Sequence, residues 1–334
     1  MNRIWMLNAR SRWSCGASLV LLWTLLVVRL SNAGEWIFEP PDKATRLKAI
    51  GATAGLPENL RRAFDPAKAF KAIPRPGAQD WLTAHEEHGQ TFRQFLTAKT
   101  NRAVGERSKI YFQPLGPFPR DRSPSLDHLK EYARAFFAME VEILPAVHQA
   151  AVKVKTRINQ FTGKRQLLTG DVLEFLRKKL PKDAYCVLAI TMSDLYPGDK
   201  WNFVFGQASL RGRVGVYSFA RYDPMFFGDR RQGNYQKTLL RRSCKVLVHE
   251  TAHMFGMEHC IYFSCILNGS NHLRESDSRP PHLCPVCLRK LWHTVHFDIV
   301  DRYDKIKGFY KKVGFDEDAE WIGKRRHHVL AKDP

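Results

Sequence analysis

The stretch His249-Glu250-Thr251-Ala252-His253-Met254-Phe255-Gly256-Met257-Glu258-His259 decides how the rest of the chain is read. Two histidines four positions apart stand on one face of a helix, one turn from each other, so both imidazoles reach a single metal ion. The glutamate beside the first faces the water that such an ion activates. Gly256 lets the chain leave the helix through a left-handed backbone conformation, which brings His259 round as a third ligand. Three protein ligands leave a tetrahedral zinc one open position, as a catalytic site requires; a closed structural site uses four. A bare HExxH arises by chance in unrelated helices. Five fixed identities across eleven positions are far more specific, and they predict a zinc hydrolase with Glu250 as general base.

Directly beyond lie Cys260, Cys265, Cys284 and Cys287. The two-residue gap in Cys284-Pro285-Val286-Cys287 lets both thiolates hold one ion, and Cys260 and Cys265 complete a four-thiolate set with no vacancy. Two disulfides are the alternative. Shared locality and the neighbouring zinc helix favour metal, giving two zinc ions per chain, one catalytic and one structural. Because Cys260 follows His259, the closed site should hold the loop that presents the third histidine. Cys186 and Cys244 sit among apolar neighbours and read as small buried hydrophobes.

At 334 residues, 44% hydrophobic and 26% charged, the chain has an ordinary globular composition. The excess of 53 Lys+Arg over 33 Asp+Glu gives a net charge of +20. The basic residues are spread along the chain, with only short clusters such as Lys324-Arg325-Arg326, and no nucleic-acid module is recognisable. The charge therefore reads as a solvated surface, and no specific nucleic-acid partner is expected. Residues 1–33 carry Arg3, Arg10 and Arg12 ahead of an apolar run, Ala17 to Val28, and small residues before Gly34. This is the layout of a secretory signal, and a twelve-residue run is short for a membrane span.

Residues 34–107 read as an N-terminal extension that wraps the domain, with helical runs at Lys43–Ile50 and Gln90–Leu96 and no chemistry of its own. From Lys109 the pattern is strand (109–113), helix N-capped by Ser125, strand (141–144), helix (170–180) and strand (185–191). That is a mixed α/β, or α+β, grammar. Strands are also expected at 201–207 and 214–219, one of them an exposed edge that adds hydrogen bonds to an extended peptide. The active helix should span 237–255, and helical spacing from Leu288 to Ile306 should close a domain running 108–310. Residues 311–334 read as a charged tail. His272, His282, His293 and His296 have no ligand spacing.

The run from His249 to Cys287 resembles the archaemetzincins, zinc metallopeptidases that join HExxHxxGxxH to four cysteines. The likeness extends through Ile190–Pro197, Trp201–Leu210 and Gly269–Leu273, covers roughly residues 75 to 307, and is closest to the animal branch. The resemblance implies a metzincin-like zincin fold: a twisted mixed sheet, an active-site helix and a small zinc-stabilised C-terminal subdomain. It also implies catalytic zinc on His249, His253 and His259, Glu250 as base, and structural zinc on the four cysteines. Peptides or proteins are the expected substrates, and the chain is expected to be a monomer. Two departures stand out. Leu267 occupies the place where the family has a methionine beneath the catalytic zinc. The signal-like segment sits oddly on a family whose animal members are intracellular, and the sequon Asn268-Gly269-Ser270 lies inside the cysteine loop. A different class of reading remains: a zinc-stabilised protein-binding module with a vestigial peptidase site.

Overall fold

The computed structural model describes residues 4–8, 36–98, 101, 103, 105–209 and 211–331. Most of the signal-like segment, residues 9–33, lies outside the described residues. Among the described residues no helix is long and apolar enough to cross a membrane.

A nine-stranded mixed sheet carries the fold. Its strands are β1 (Ile4–Asn8), β2 (Lys109–Leu115), β3 (Glu140–Ile143), β4 (Thr156–Ile158), β5 (Arg165–Leu168), β6 (Ala184–Thr191), β7 (Asp194–Tyr196), β8 (Val204–Ser209) and β9 (Val214–Ser218). Their order is β3-β2-β6-β9-β8-β7-β5-β4, with β1 also paired to β8. The central β6 is buried along its whole length because helices cover both faces. Cys186, Leu188 and Ile190 point into one core, while Val187 and Ala189 point into the other.

On the first face lie α5 (Leu126–Phe137) and α7 (Tyr235–Met254); on the second, α6 (Thr169–Lys178). The Ser125 hydroxyl accepts from His128 N, so α5 has the cap its sequence predicts. The strands and helices expected between 109 and 191 all form, within two residues of their expected ends.

The exposed-edge idea fails. β9 is enclosed by β6 and β8, and β8 has β9 on one side and β7 and β1 on the other. The 288–306 pattern also divides, into α9 (Pro285–Val295) and α10 (Ile299–Lys312), because His296 takes φ +58° and ends the first helix.

The extension and the tail are more ordered than their composition suggests. α1 (Lys43–Ile50), α2 (Glu58–Phe64), α3 (Trp81–Ala84) and α4 (Phe92–Thr97) join the same core cluster as α7. The expected charged tail is instead a helix, α11 (Asp316–Leu330), packed on α10 and α2. Arg325 is only 2% exposed, yet its Nη2 donates to the carbonyls of Arg62, Ala63 and Asp65 at the end of α2. A buried guanidinium is tolerable when it caps carbonyls that the helix leaves open. Its neighbours pair with Glu320 and Asp304, so the basic run is not a free cluster.

Candidate metal centre

The helix α7 is so deeply set that every residue from Ser243 to Met254 is buried. It ends at Phe255, and Gly256 takes φ +80°, the left-handed turn its position demands. The turn returns His259 to the other two histidines. Nε2 of His249 lies 3.1 Å from Nε2 of His253 and 3.3 Å from that of His259.

Each ring is held by its other nitrogen. His249 Nδ1 donates to Ile266 O at 2.8 Å, and His253 Nδ1 donates to Met257 O at 2.7 Å. A carbonyl only accepts, so the proton sits on Nδ1 and the lone pair on Nε2. His259 Nδ1 meets Glu87 Oε1 at 2.6 Å. Burial, reinforced by the neighbouring imidazole, pushes His249 down to about 3; burial likewise holds His253 well below the usual histidine range. Lone pairs aimed at one point repel unless a cation lies between them. Zn–N bonds of about 2.0–2.1 Å in a tetrahedron separate ligand nitrogens by about 3.3–3.4 Å, so the three imidazoles fit zinc.

Glu250 stands beside this triad, 1% exposed, with Oε2 lacking a hydrogen-bond partner among the described residues. Burial pushes its carboxyl up to about 8. Gly206 on β8 makes the room. A Cβ there would lie 3.1 Å from both Cγ and Cδ of Glu250 and 2.9 Å from Tyr217 Cβ.

The second cluster begins at Cys260, directly after His259. Cys260, Cys265, Cys284 and Cys287 are free, fully buried thiols whose sulfurs gather within 4.8 Å of one another. Cys260 Sγ and Cys284 Sγ are 3.5 Å apart, near the roughly 3.8 Å that tetrahedral Zn–S bonds of about 2.3 Å give. Burial opposes ionisation of Cys260, but the thiols of Cys265, Cys284 and Cys287 outweigh it and hold its pKa well below the ordinary value. One thiolate raises its neighbours, so a fully ionised set requires a cation.

Asn268 ties this loop. Its Oδ1 accepts from Cys265 N, and its Nδ2 donates to the carbonyls of Cys260 and Phe263. At 2% exposure it is closed to a glycan in the folded chain. Leu267 is fully buried and its carbonyl accepts from Cys260 N.

Several supporting residues carry no motif. Glu87, in the extension expected to have no chemistry, also accepts from Trp81 Nε1 at 2.8 Å. The Trp81 ring stands edge-on to His259 at 5.1 Å and lies against Gly269, where a Cβ would collide at 2.3 Å. Gln90 donates to Gly256 O and receives the buried ammonium of Lys290. The run His85-Glu86-Glu87-His88 hints at polarity, but nothing in it separates Glu87 from Glu86.

The other histidines stay away from both clusters. His272 caps the short helix α8 (Leu273–Ser278) and bonds Asp80; its ring nitrogens are both engaged, so its proximity to Asp80 and Glu275 is a clasp. His282 stacks on Trp321 at 3.5 Å. Cys186 and Cys244 are buried in the core.

These features make the three histidines and Glu250 a candidate zinc-hydrolase centre, and comparison with known proteins gives the family. Residues 132–293 match the model of Peptidase family M54. The chain is 41% identical to archaemetzincin-2 of Macaca fascicularis over 278 residues, 75% of this chain and 77% of that one. It is 39% identical to archaemetzincin-2 of Rattus norvegicus, covering 88% and 89% of the two chains. A solved archaemetzincin from Archaeoglobus fulgidus is 29% identical over 55% of this chain and 99% of its own, with a TM-score of 0.40. The chain belongs to the archaemetzincin family and is a zinc metallopeptidase.

Proposed function

We propose that this metallopeptidase hydrolyses peptide bonds with His249, His253 and His259 as ligands of a catalytic zinc, Glu250 as general base, and a second, structural zinc on Cys260, Cys265, Cys284 and Cys287. The observation that carries the reading is the convergence of three Nε2 atoms, each ring anchored through Nδ1, beside a buried glutamate with one uncommitted oxygen. Zinc, when bound there, acidifies water and polarises the scissile carbonyl.

The chain's own residues do the rest. Ile266 O, Met257 O and Glu87 fix the imidazole planes, so no rotation is lost when substrate arrives. Glu250 takes the proton from the attacking water and later returns one to the leaving amine. A carboxyl raised toward neutrality by burial suits both halves of that cycle, because an effective proton carrier has a pKa near the working pH. The buried walls exclude bulk water and strengthen each polar contact.

Turnover of a mixed peptide library is the test. Glu250→Gln should keep both metals and lower kcat/KM by roughly 10²–10⁴-fold. Undiminished turnover by zinc-replete Glu250→Gln would remove Glu250 from the role.

A further inference from the structure

A small pocket, with a cavity volume of about 20 Å³, opens beside His249. Its walls are largely apolar, with Phe205 stacked on Tyr222 at 5.5 Å and Ile266 and Leu273 opposite. Two basic side chains line it as well, Lys245 at 4% exposure and Arg279 at 8%.

Lys245 sits one turn before His249 on α7, and its Nζ donates to two carbonyls, Ser276 O and, at 2.6 Å, Arg279 O. Burial lowers the Lys245 pKa to about 7, so the amine gains its third N–H only when an anion comes near enough to hold the proton. Among the described residues no carboxylate lies within ion-pair distance of it. Arg279 pairs with Glu275 at 2.9 Å, but its buried Nε has no acceptor among the described residues. Glu275 is itself divided, accepting from Trp81 N and Asn271 N as well. Glu275 therefore pairs with Arg279 and not with Lys245, and an arriving anion would meet the unpartnered Arg279 Nε and a Lys245 that takes up a proton on pairing.

We propose that this pocket binds a substrate carboxylate on the residue adjoining the scissile bond, with Lys245 as its specificity-determining cation and Arg279 as a second donor. The assignment rests on the peptidase reading above only for the pocket's place beside the reacting bond. Apolar walls strengthen the ion pair by excluding water. A lysine or arginine at the same substrate position would set a further positive charge against Arg279 and be rejected.

Zinc-loaded full-length chain is offered end-capped peptides identical except at the two positions flanking the bond, carrying Asp, Glu, Asn, Gln, Leu or Lys in turn. Asp or Glu on one side should exceed its amide by at least about tenfold in kcat/KM, with Lys the poorest. Lys245→Met should collapse that ratio, and Lys245→Arg should preserve most of it. A second set ends one residue beyond the bond, with a free or an amidated terminus. A free-acid preference confined to this set makes the ligand a terminal carboxylate, whereas a preference confined to the capped set makes it a side chain. The same peptides titrated into zinc-loaded Glu250→Gln separate binding from chemistry. If that variant prefers the acidic peptides while wild type cleaves none, the pocket stands and the peptidase mechanism falls. Acids no better than amides in both sets, by turnover and by binding, overturns the proposal.

Discussion

The histidine centre and the cysteine centre share one loop but are built on opposite plans. The cysteine cluster draws its ligands from 28 consecutive positions, 260–287, and is tied by one buried side chain inside that span, Asn268. The histidine cluster relies on distant support: Glu87 lies 172 positions from His259, and the acceptor for His249 is Ile266 O, a carbonyl of the cysteine loop. A locally closed site can hold its shape alone. An open site that must keep one position for substrate borrows its rigidity from elsewhere, so damage should pass from the cysteine centre to the histidine centre and not back.

The largest test of that asymmetry is Cys284→Ser. Structural zinc sites contribute about 10–16 kcal/mol of apparent binding free energy. Losing a thiolate should therefore unfold the 260–287 loop, release both metals and abolish activity, as read by metal analysis and thermal unfolding. Retained activity in this variant would break the dependence. His253→Ala makes the reverse case. It should empty the catalytic site and remove turnover while leaving the cysteine metal in place and the melting temperature nearly unshifted.

Glu87→Gln should act between these extremes. It keeps an acceptor for His259 but removes the charge, and partners of this kind change metal affinity or activity about 10–100-fold. Zinc titration should show weaker binding at one site only. Gly206→Ala probes the glutamate, since the added Cβ presses on Glu250 Cγ and Cδ at 3.1 Å. Crowding of this sort costs about 1–3 kcal/mol, and kcat should fall while metal content holds. Leu267→Met should do least. The swap conserves volume in a buried position, so a stability change below about 1.5 kcal/mol is expected by denaturant unfolding.

Much of this was legible in the chain and some was not, for reasons that lie in how each residue is used. The candidate ligands could be picked out because metal geometry would fix their spacing on a helix and a turn; the structure gathers the three histidines, and Gly256 adopts the φ that spacing required. The three strands and two helices expected from 109 to 191 could be read because the helices bury a periodic apolar face and β6 an unbroken apolar run, whereas the short strands β4 and β5 carry neither signal. Glu87 could not, since a hydrogen bond spanning 172 residues leaves no local pattern. The helix Asp316–Leu330 was hidden by its charge. Its inner face is thin, Ala319, Ile322 and Val329, and its most buried long side chain is an arginine held through Nη2 by three carbonyls. The edge-strand expectation failed because the glycines of β8 and β9 serve close approach, Gly206 to Glu250 above all, and not exposure.

Staged metal removal from the purified chain tests the central claim most directly. Zinc content, free-thiol count, peptidase activity and folding are followed together as chelator is raised. Two zinc ions per chain are predicted. The first should leave with activity and return with it while the fold persists; the second should leave only as the chain unfolds and its thiols become reactive. A single zinc with the four cysteines oxidised to disulfides, or loss of the cysteine metal from a chain that stays folded and active, would contradict the account.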